Sequence, residues 1–146
     1  MVQSTSCRPD GATYRRALTG IGFNLLGDDM SQIFDFLRQV LTIAPVYDDT
    51  DFAILRHDGI EFMLHSDASY HRNPFVGLLE QGAMRGNAAE LRLYGVDPDT
   101  AASQAQSLGH YILQEAGDKP HGLREAYILD DNGHIWVPSI VIHHAV

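Results

Sequence analysis

The sequence contains an internal repeat, and this repeat limits the possible folds more than any other feature. Residues 23–29, Phe-Asn-Leu-Leu-Gly-Asp-Asp, align without a gap with residues 91–97, Leu-Arg-Leu-Tyr-Gly-Val-Asp, at an offset of 68 residues. Similarity at a fixed offset indicates that one structural unit occurs twice and that the two copies bury their apolar faces together. We therefore predict two similar modules.

Each copy of the repeat runs into a predicted amphipathic helix. In the first copy, apolar residues recur at three- and four-residue spacing over residues 30–41, and Asp29 is placed to cap the helix start. In the second copy, Asp97 is the expected N-cap and Pro98 suits the first helical position, where no N–H is needed. This second helix is expected to end at Gly109.

Three short runs of alternating character follow each helix and predict β-strands. They cover residues 46–48, 52–57 and 60–65 in the first module, and 111–115, 124–129 and 134–140 in the second. Asp58-Gly59 and Asn132-Gly133 predict tight hairpins in which both central residues have positive φ. Each module therefore has the predicted order β-α-β-β-β, which is an α+β fold.

The length of 146 residues fits one ordinary domain. We expect a flexible N-terminal arm over residues 1–17 and a single domain over residues 18–146. Within the domain we place module one at 18–67, a connector without regular structure at 68–87, and module two at 88–142.

The charge balance limits the partners of the chain. Ten Lys and Arg residues against nineteen Asp and Glu give a formal net charge of −9, which repels nucleic acid and favours cationic or neutral ligands. No run approaches the roughly 18 apolar residues that span a membrane. Cys7 is the single cysteine, so no intrachain disulfide demands an oxidising compartment. We expect a cytoplasmic protein without nucleic-acid or membrane partners.

The closing segment of each module carries a family resemblance. Residues 122–136, Gly-Leu-Arg-Glu-Ala-Tyr-Ile-Leu-Asp-Asp-Asn-Gly-His-Ile-Trp, close the second module, and residues 58–64, Asp-Gly-Ile-Glu-Phe-Met-Leu, close the first. With the duplicated unit, they resemble the vicinal oxygen chelate superfamily, which includes glyoxalase I, extradiol dioxygenases, fosfomycin-resistance transferases and bleomycin-resistance proteins. The resemblance covers residues 18–142 and implies a cupped mixed sheet with helices on its convex face.

The resemblance also implies a divalent metal held by the first and last strands of each module, but few metal ligands are present here. The corresponding positions are Gly22, Glu61, Glu90 (or Leu91 if the alignment slips by one residue) and Val137. A stable transition-metal site needs three or four N, O or S ligands, whereas these positions supply one or two carboxylates. We therefore expect neither a metal nor another cofactor.

Side-chain alternation along the strands predicts which residues line the cup. The candidate ligand-binding residues are Asn24, Glu61, Met63, His65, Glu90, Arg92, Tyr94 and Val137. Apolar walls with a few polar groups are typical of a small-molecule site. Two alternatives stay open: Glu61 and Arg92 form a structural ion pair inside the cup, and His65 is a satisfied or solvent-facing histidine.

These features predict a metal-free small-molecule-binding protein that resembles bleomycin-resistance proteins. It would be a homodimer that sequesters an amphipathic ligand, cationic or aromatic in character, in a cup built or completed at the subunit interface. No catalytic residues are indicated. The alternative is a divalent-metal-dependent enzyme of the glyoxalase or dioxygenase type with ligands rebuilt from Glu61, Glu90 and His65. A third interpretation is a structural or regulatory domain whose cup is filled by its own side chains.

Overall fold

The computed structural model describes residues 11–86 and 88–143, and its helices and strands follow the predicted order in both modules. The elements are helix α1 (Gly11–Arg16), strand β1 (Asn24–Gly27), helix α2 (Met30–Gln39), strands β2 (Pro45–Asp48), β3 (Phe52–His57) and β4 (Ile60–Ser66), strand β5 (Leu91–Tyr94), helix α3 (Pro98–Ser107), and strands β6 (Tyr111–Asp118), β7 (Leu123–Leu129) and β8 (Ile135–Val141). No helix among the described residues combines the length and apolar character that a membrane crossing requires.

Each module forms one four-stranded mixed sheet. The strand order is β1-β4-β3-β2 in the first module and β5-β8-β7-β6 in the second. In each sheet the first pair is parallel and the other two pairs are antiparallel. This identical order confirms the predicted α+β fold made of two β-α-β-β-β modules.

Helix α2 begins where the sequence pattern predicts, because Asp29 caps it. The Asp29 Oδ1 atom accepts a 3.1 Å hydrogen bond from the backbone N–H of Gln32, which would otherwise lack a partner in the first turn. The apolar stripe of the helix, including Ile33, Phe36 and Leu37, is buried. Burial of such side chains stabilises the fold by about 1.5–3 kcal/mol each.

Helix α3 packs more closely because its buried stripe is made of small residues. Asp97 is the N-cap and Pro98 occupies the first turn, as predicted. Ala101 and Ala105 are almost completely buried, and their short side chains let the helix axis approach the sheet. Buried residues of both helices belong to one hydrophobic core that the two modules share.

The centre of this common core is Trp136. Its ring lies 6.3 Å from that of Phe36 on helix α2 and 6.0 Å from that of Phe62 on strand β4. The indole N–H donates a 2.9 Å hydrogen bond to Asp130 Oδ2, which satisfies its only polar group. Trp136 belongs to module two, whereas Phe36 and Phe62 belong to module one. The helix-covered faces of the two modules therefore pack against each other.

The two hairpins differ in a way that corrects one expectation. Asp58 and Gly59 both have positive φ, at 46° and 80°, as predicted. In the second hairpin Gly133 has a φ of 77°, but Asn132 is not in the positive region, so that part of the prediction was wrong. The physical reason is Asp130, whose Oδ1 atom accepts from the backbone N–H groups of Asn132 and His134 and thereby stabilises a wider turn.

Two segments predicted to lack regular structure contain short helices. Helix α1 lies within the predicted arm, of which residues 1–10 fall outside the described part of the chain. In the connector, two 3₁₀ helices form over Asp67–Tyr70 and Pro74–Leu78. Both segments flank the open face of the first sheet, so they contribute to the site described below.

Candidate functional site

The open face of the first sheet forms the floor of a cleft of about 1380 Å³. Helix α1 and the chain that follows it border one side, and the 3₁₀ helix Asp67–Tyr70 borders another. The polar, aromatic and sulfur-containing side chains that line the cleft include Tyr14, Asn24, Tyr47, Phe52, Glu61, Met63, His65 and Tyr70. The mixture of aromatic walls with a few polar groups is typical of small-molecule sites.

Strand register explains why the predicted residues of module one share the floor. Asn24 on β1 lies opposite Met63 on β4, and Phe52 on β3 lies opposite His65 on β4. Directly opposed residues project from the same face of a sheet, and alternate residues along β4 do the same. The predicted residues Asn24, Glu61, Met63 and His65 all line the cleft.

Glu61 is held from two sides. Its Oε2 atom accepts a 2.6 Å hydrogen bond from the Tyr14 hydroxyl on helix α1. Its Oε1 atom accepts from Arg56 Nε at 3.1 Å and also pairs with a terminal nitrogen of that guanidinium. Arg56 lies directly opposite Glu61 in the β3–β4 register. The alternative in which Glu61 pairs with Arg92 is therefore wrong, because Arg56, the cation adjacent to Glu61 in the sheet, takes that position.

His65 is sandwiched between two aromatic rings and is held neutral. The rings of Phe52 and Tyr70 both lie 4.9 Å from its own. Burial lowers the pKa of His65, the positive charge of Arg15 lowers it further, and the negative charge of Asp49 acts in the opposite direction. The imidazole is therefore uncharged at neutral pH.

Ser69 lies beside the His65 ring. Its hydroxyl donates a 2.8 Å hydrogen bond to the carbonyl oxygen of Ser66, and its Oγ atom lies 3.5 Å from His65 Nδ1. This second contact is longer than an ordinary hydrogen bond.

A continuous row of rings crosses the cleft and continues into the connector. Centroid distances are 6.0 Å from Tyr47 to Phe52, 4.9 Å from Phe52 to His65, 4.9 Å from His65 to Tyr70, and 6.4 Å from Tyr70 to Phe75. Such spacing is favourable for tilted and edge-to-face aromatic contacts. Because successive rings are tilted or edge-on to each other, the row offers separate ring faces and edges along the cleft.

The predicted residues of module two lie elsewhere. The described lining of the cleft comes from residues 11–70, so Glu90, Arg92, Tyr94 and Val137 do not take part in it. In one chain the eight predicted residues therefore form two sets, one on the concave face of each sheet. The single cup expected from the sequence is not formed within one chain.

A cluster of charged side chains lies across part of the concave face of module two. Arg92 donates to Glu90 Oε2 at 2.8 Å and also pairs with Glu125, whose side chain is 2% exposed. Because strand β8 lies between the strands of Arg92 and Glu125, the guanidinium crosses over β8, where Val137 is 0% exposed. Arg92 is therefore held over the sheet by carboxylates of its own module.

The electrostatics of this ion cluster keep Arg92 charged. Burial alone would lower the pKa of Arg92, but hydrogen bonds to Glu90 and Tyr127 and the negative charge of Glu125 raise it above its usual range. Sequence reasoning missed Glu125. The available signal was strand alternation: Glu125 lies on the opposite face of the strand from Arg124 and Ala126, together with Leu123 and Tyr127, and a buried carboxylate requires a partner.

The residues at the family's metal positions do not fit a divalent ion. Gly22 and Val137 have no donor atom, Glu61 is engaged by Tyr14 and Arg56, and Glu90 pairs with Arg92. Within residues 11–86 and 88–143, no three His, Cys, Asp or Glu side chains are grouped for metal binding.

The rebuilt ligand set of the alternative interpretation is not assembled either. Glu61 and His65 are four residues apart on one strand, which separates their backbones by about 13 Å. Glu90 does not line the cleft that holds these two residues. Within one chain, these three side chains therefore do not converge on one point.

The fold of this chain is similar to the folds of several solved structures. It is similar to a glyoxalase-related enzyme from Fulvimarina pelagi, with a TM-score of 0.67 and 18% identity over 84% of this chain and 87% of that chain. It is also similar to a glyoxalase/bleomycin resistance protein/dioxygenase from Nocardioides, with a TM-score of 0.62 and 16% identity over 92% and 93% of the two chains. For a lactoylglutathione lyase from Agrobacterium tumefaciens, the TM-score is 0.60 at 17% identity over 84% and 92%.

Neither a protein-family model nor a curated protein sequence matches the chain. At identities below one fifth, the likeness to solved structures establishes the fold and leaves the reaction and ligand open. The resemblance inferred from the sequence is therefore confirmed in this respect: the chain has the fold of glyoxalase/bleomycin resistance protein/dioxygenase structures, consistent with the vicinal oxygen chelate superfamily.

Proposed function

We propose that this chain is a small-molecule-binding protein whose site is the cleft of module one, and that it sequesters its ligand without a metal-dependent reaction. The observation that carries the proposal is the combination of a cleft of about 1380 Å³ with a row of aromatic rings along its floor. One of the fold neighbours carries bleomycin resistance protein in its name. Sequestration of that kind needs shape and charge complementarity rather than catalytic groups.

The ligand that suits the cleft is amphipathic, with a flat aromatic part and a positive charge. The rings of Phe52 and Tyr70 offer faces for stacking and for cation–π contact. The carboxylates of Glu61 and Asp49 lie in the same cleft, and the chain carries a net charge of −9. This long-range field favours the approach of a cation.

We also propose that the protein is a homodimer in which a second copy of the chain completes the cleft. Two observations on the described residues support it. The cleft is lined from module one and helix α1 without a residue of module two, and apolar side chains at its border are exposed, Ile21 by 86% and Ile60 by 69%. Exposed apolar side chains at the border of a site are typical of an interface. We also propose a cytoplasmic location, because a chain with a single cysteine forms no intrachain disulfide that would require an oxidising compartment.

Calorimetric titration tests the binding proposal. The probe is berberine, a planar aromatic cation, and an anionic naphthalene sulfonate of similar size is the charge control. We expect saturable binding of berberine that Phe52→Leu weakens about fivefold, because the variant stays apolar but loses the ring. Tyr111→Leu, on an exposed strand outside the cleft, is the matched control and keeps wild-type affinity. No saturable berberine binding would refute the proposed ligand class.

Light scattering after gel filtration tests the assembly. We expect a dimer that Ile60→Glu converts to a monomer, because a charge is placed in the buried interface. Leu78→Glu is the matched control. Leu78 is also apolar and is 78% exposed, but it lies outside the cleft, so this variant is expected to stay dimeric. A wild-type monomer at micromolar concentration contradicts the dimer.

A further inference from the structure

Helix α1 borders the cleft and reaches into it. Gly11, Tyr14 and Arg15 are part of the cleft lining, and the Tyr14 hydroxyl donates to Glu61 on the floor at 2.6 Å. The helix itself buries none of its residues. It is therefore attached over the open face of the sheet rather than packed into the core.

The groups that α1 brings to the cleft resemble the proposed ligand. Tyr14 supplies an aromatic ring with a hydroxyl, and Arg15 supplies a positive charge close enough to His65 to act on its ionisation. An aromatic group followed by a cation is the same chemistry that the ring row and Glu61 would recognise in a small molecule. The chain thus presents an internal analogue of the ligand to its own site.

The segment between α1 and the first sheet is suited to move. Residues 17–23 form no helix or strand, Gly20 has a φ of 81°, and Ile21 is 86% exposed. After this segment, the backbone joins the sheet at the carbonyl of Phe23, which accepts a 2.8 Å hydrogen bond from the N–H of Met63. Rotation about this short segment moves α1 without disturbing strand β1.

We propose that helix α1 is a strap that closes the cleft of module one through Tyr14 and competes with the ligand for it. The ligand part of this inference rests on the proposed function, whereas the closure by Tyr14 does not. A helix of six residues is unstable without tertiary contacts, so the strap unwinds when it leaves the cleft. The affinity for a ligand is then reduced by the fraction of molecules in which the strap is closed.

Limited proteolysis tests the closure. Trypsin cleaves after Arg15 and Arg16 only when the segment leaves the cleft and unwinds, so the cleavage rate reports the open population. We expect Tyr14→Phe, which removes only the hydroxyl, to be cleaved there about tenfold faster than the wild type. Tyr111→Phe is the matched control, since it removes a hydroxyl from a side chain that is 63% exposed outside the cleft.

Berberine titration of the same proteins tests the competition. Tyr14→Phe is expected to bind berberine about tenfold more tightly than the wild type, and saturating berberine is expected to accelerate tryptic cleavage of the wild type. Equal cleavage rates for Tyr14→Phe and the wild type overturn the strap, whether or not berberine binds. Equal affinities overturn the competition. If neither protein binds berberine while Tyr14→Phe is cleaved faster, the proposed function fails and the strap stands.

Discussion

The side chain of Asn132 binds Asp28 with both of its polar atoms and so joins the two modules. Asn132 Oδ1 accepts from the Asp28 backbone N–H at 3.0 Å, and Asn132 Nδ2 donates to Asp28 Oδ1 at 2.6 Å. The corresponding loops on the other side meet where a His57 ring nitrogen lies 2.8 Å from the Tyr94 carbonyl oxygen. The hairpin of each module is therefore attached to the strand-to-helix loop of the other.

Replacing Asn132 should weaken this attachment. Asn132→Ala removes two hydrogen bonds at a residue that is almost completely buried, and we expect a loss of about 1–3 kcal/mol in the free energy of unfolding. Urea denaturation measures the loss. Asn24→Ala, in which an exposed amide is removed, is the control and should stay close to the wild type. A stability equal to that of the control would show that the attachment contributes nothing.

Gly86 should tolerate no side chain. A Cβ atom there would lie 2.5 Å from the Gly133 carbonyl oxygen and 2.8 Å from the His134 Cα, both of which are backbone atoms that cannot rotate away. We expect Gly86→Ala to reduce the unfolding free energy by about 2–4 kcal/mol. At Gly77 a Cβ would meet nothing within 4 Å, so Gly77→Ala should be neutral or slightly stabilising. Thermal melts of the two variants compare them directly.

The ion cluster of module two should be sensitive to the loss of its cation. Arg92→Ala leaves Glu125 buried without its guanidinium partner, and we expect a loss of about 3 kcal/mol. Arg124→Ala is the matched control, because Arg124 pairs with Asp99 and Asp118 at the solvent-exposed surface. Surface pairs contribute little, so this variant should unfold near the wild-type midpoint. Equal midpoints for both variants would contradict the role of burial.

Acid should destabilise the protein partly through His65. Its pKa is lowered in the folded chain, so the unfolded chain takes up the proton first as the pH falls below about 6.5, the usual value for histidine. Stability is therefore lost as the pH drops from about 6.5 through the lowered folded pKa. The Tm of His65→Gln should depend less on pH between about 7.5 and 5 than that of the wild type. His71→Gln, changed at an exposed histidine, should keep the wild-type slope.

Metal analysis separates the binding interpretation from the metal-dependent enzyme. After incubation with excess zinc or nickel and removal of free ions, we expect no stoichiometric metal, because Gly22 and Val137 supply no ligands and Glu61 pairs with Arg56. Elemental analysis of the wild type and Glu61→Ala checks this. One metal ion per chain that is lost in Glu61→Ala would contradict the metal-free interpretation and favour the metal-dependent enzyme.

Local features of the fold were predictable from the sequence because they depend on neighbouring residues. The caps Asp29 and Asp97 and the Asp58-Gly59 turn all follow from short-range patterns. Asn132 differs because the carboxylate of Asp130 competes for the backbone of that turn. Even this error has a local cause that the Asp-Asp-Asn-Gly-His sequence contains.

Contacts between elements were harder to predict because they depend on register and module placement. One alternative paired Glu61 with Arg92 because both were assigned to the cup, but Arg56 is adjacent to Glu61 across strands β3 and β4. The contact from Tyr14 required knowledge that residues 11–16 form a helix, for which six mostly polar residues give almost no signal. Likewise, side-chain alternation along the strands predicted which residues lie on the concave face of each sheet. It did not predict that the two concave faces are separate within one chain.

The side chains of Arg92 and Glu125 give the duplicated halves unequal freedom to change. Substitutions on the concave face of the second half must preserve a buried pair of charges, whereas those at floor positions such as Asn24 and Met63 border open space. The concave face of the first half can therefore change its side chains more freely than that of the second. Under the function proposed above, ligand preference would accordingly be altered through the floor of the first module.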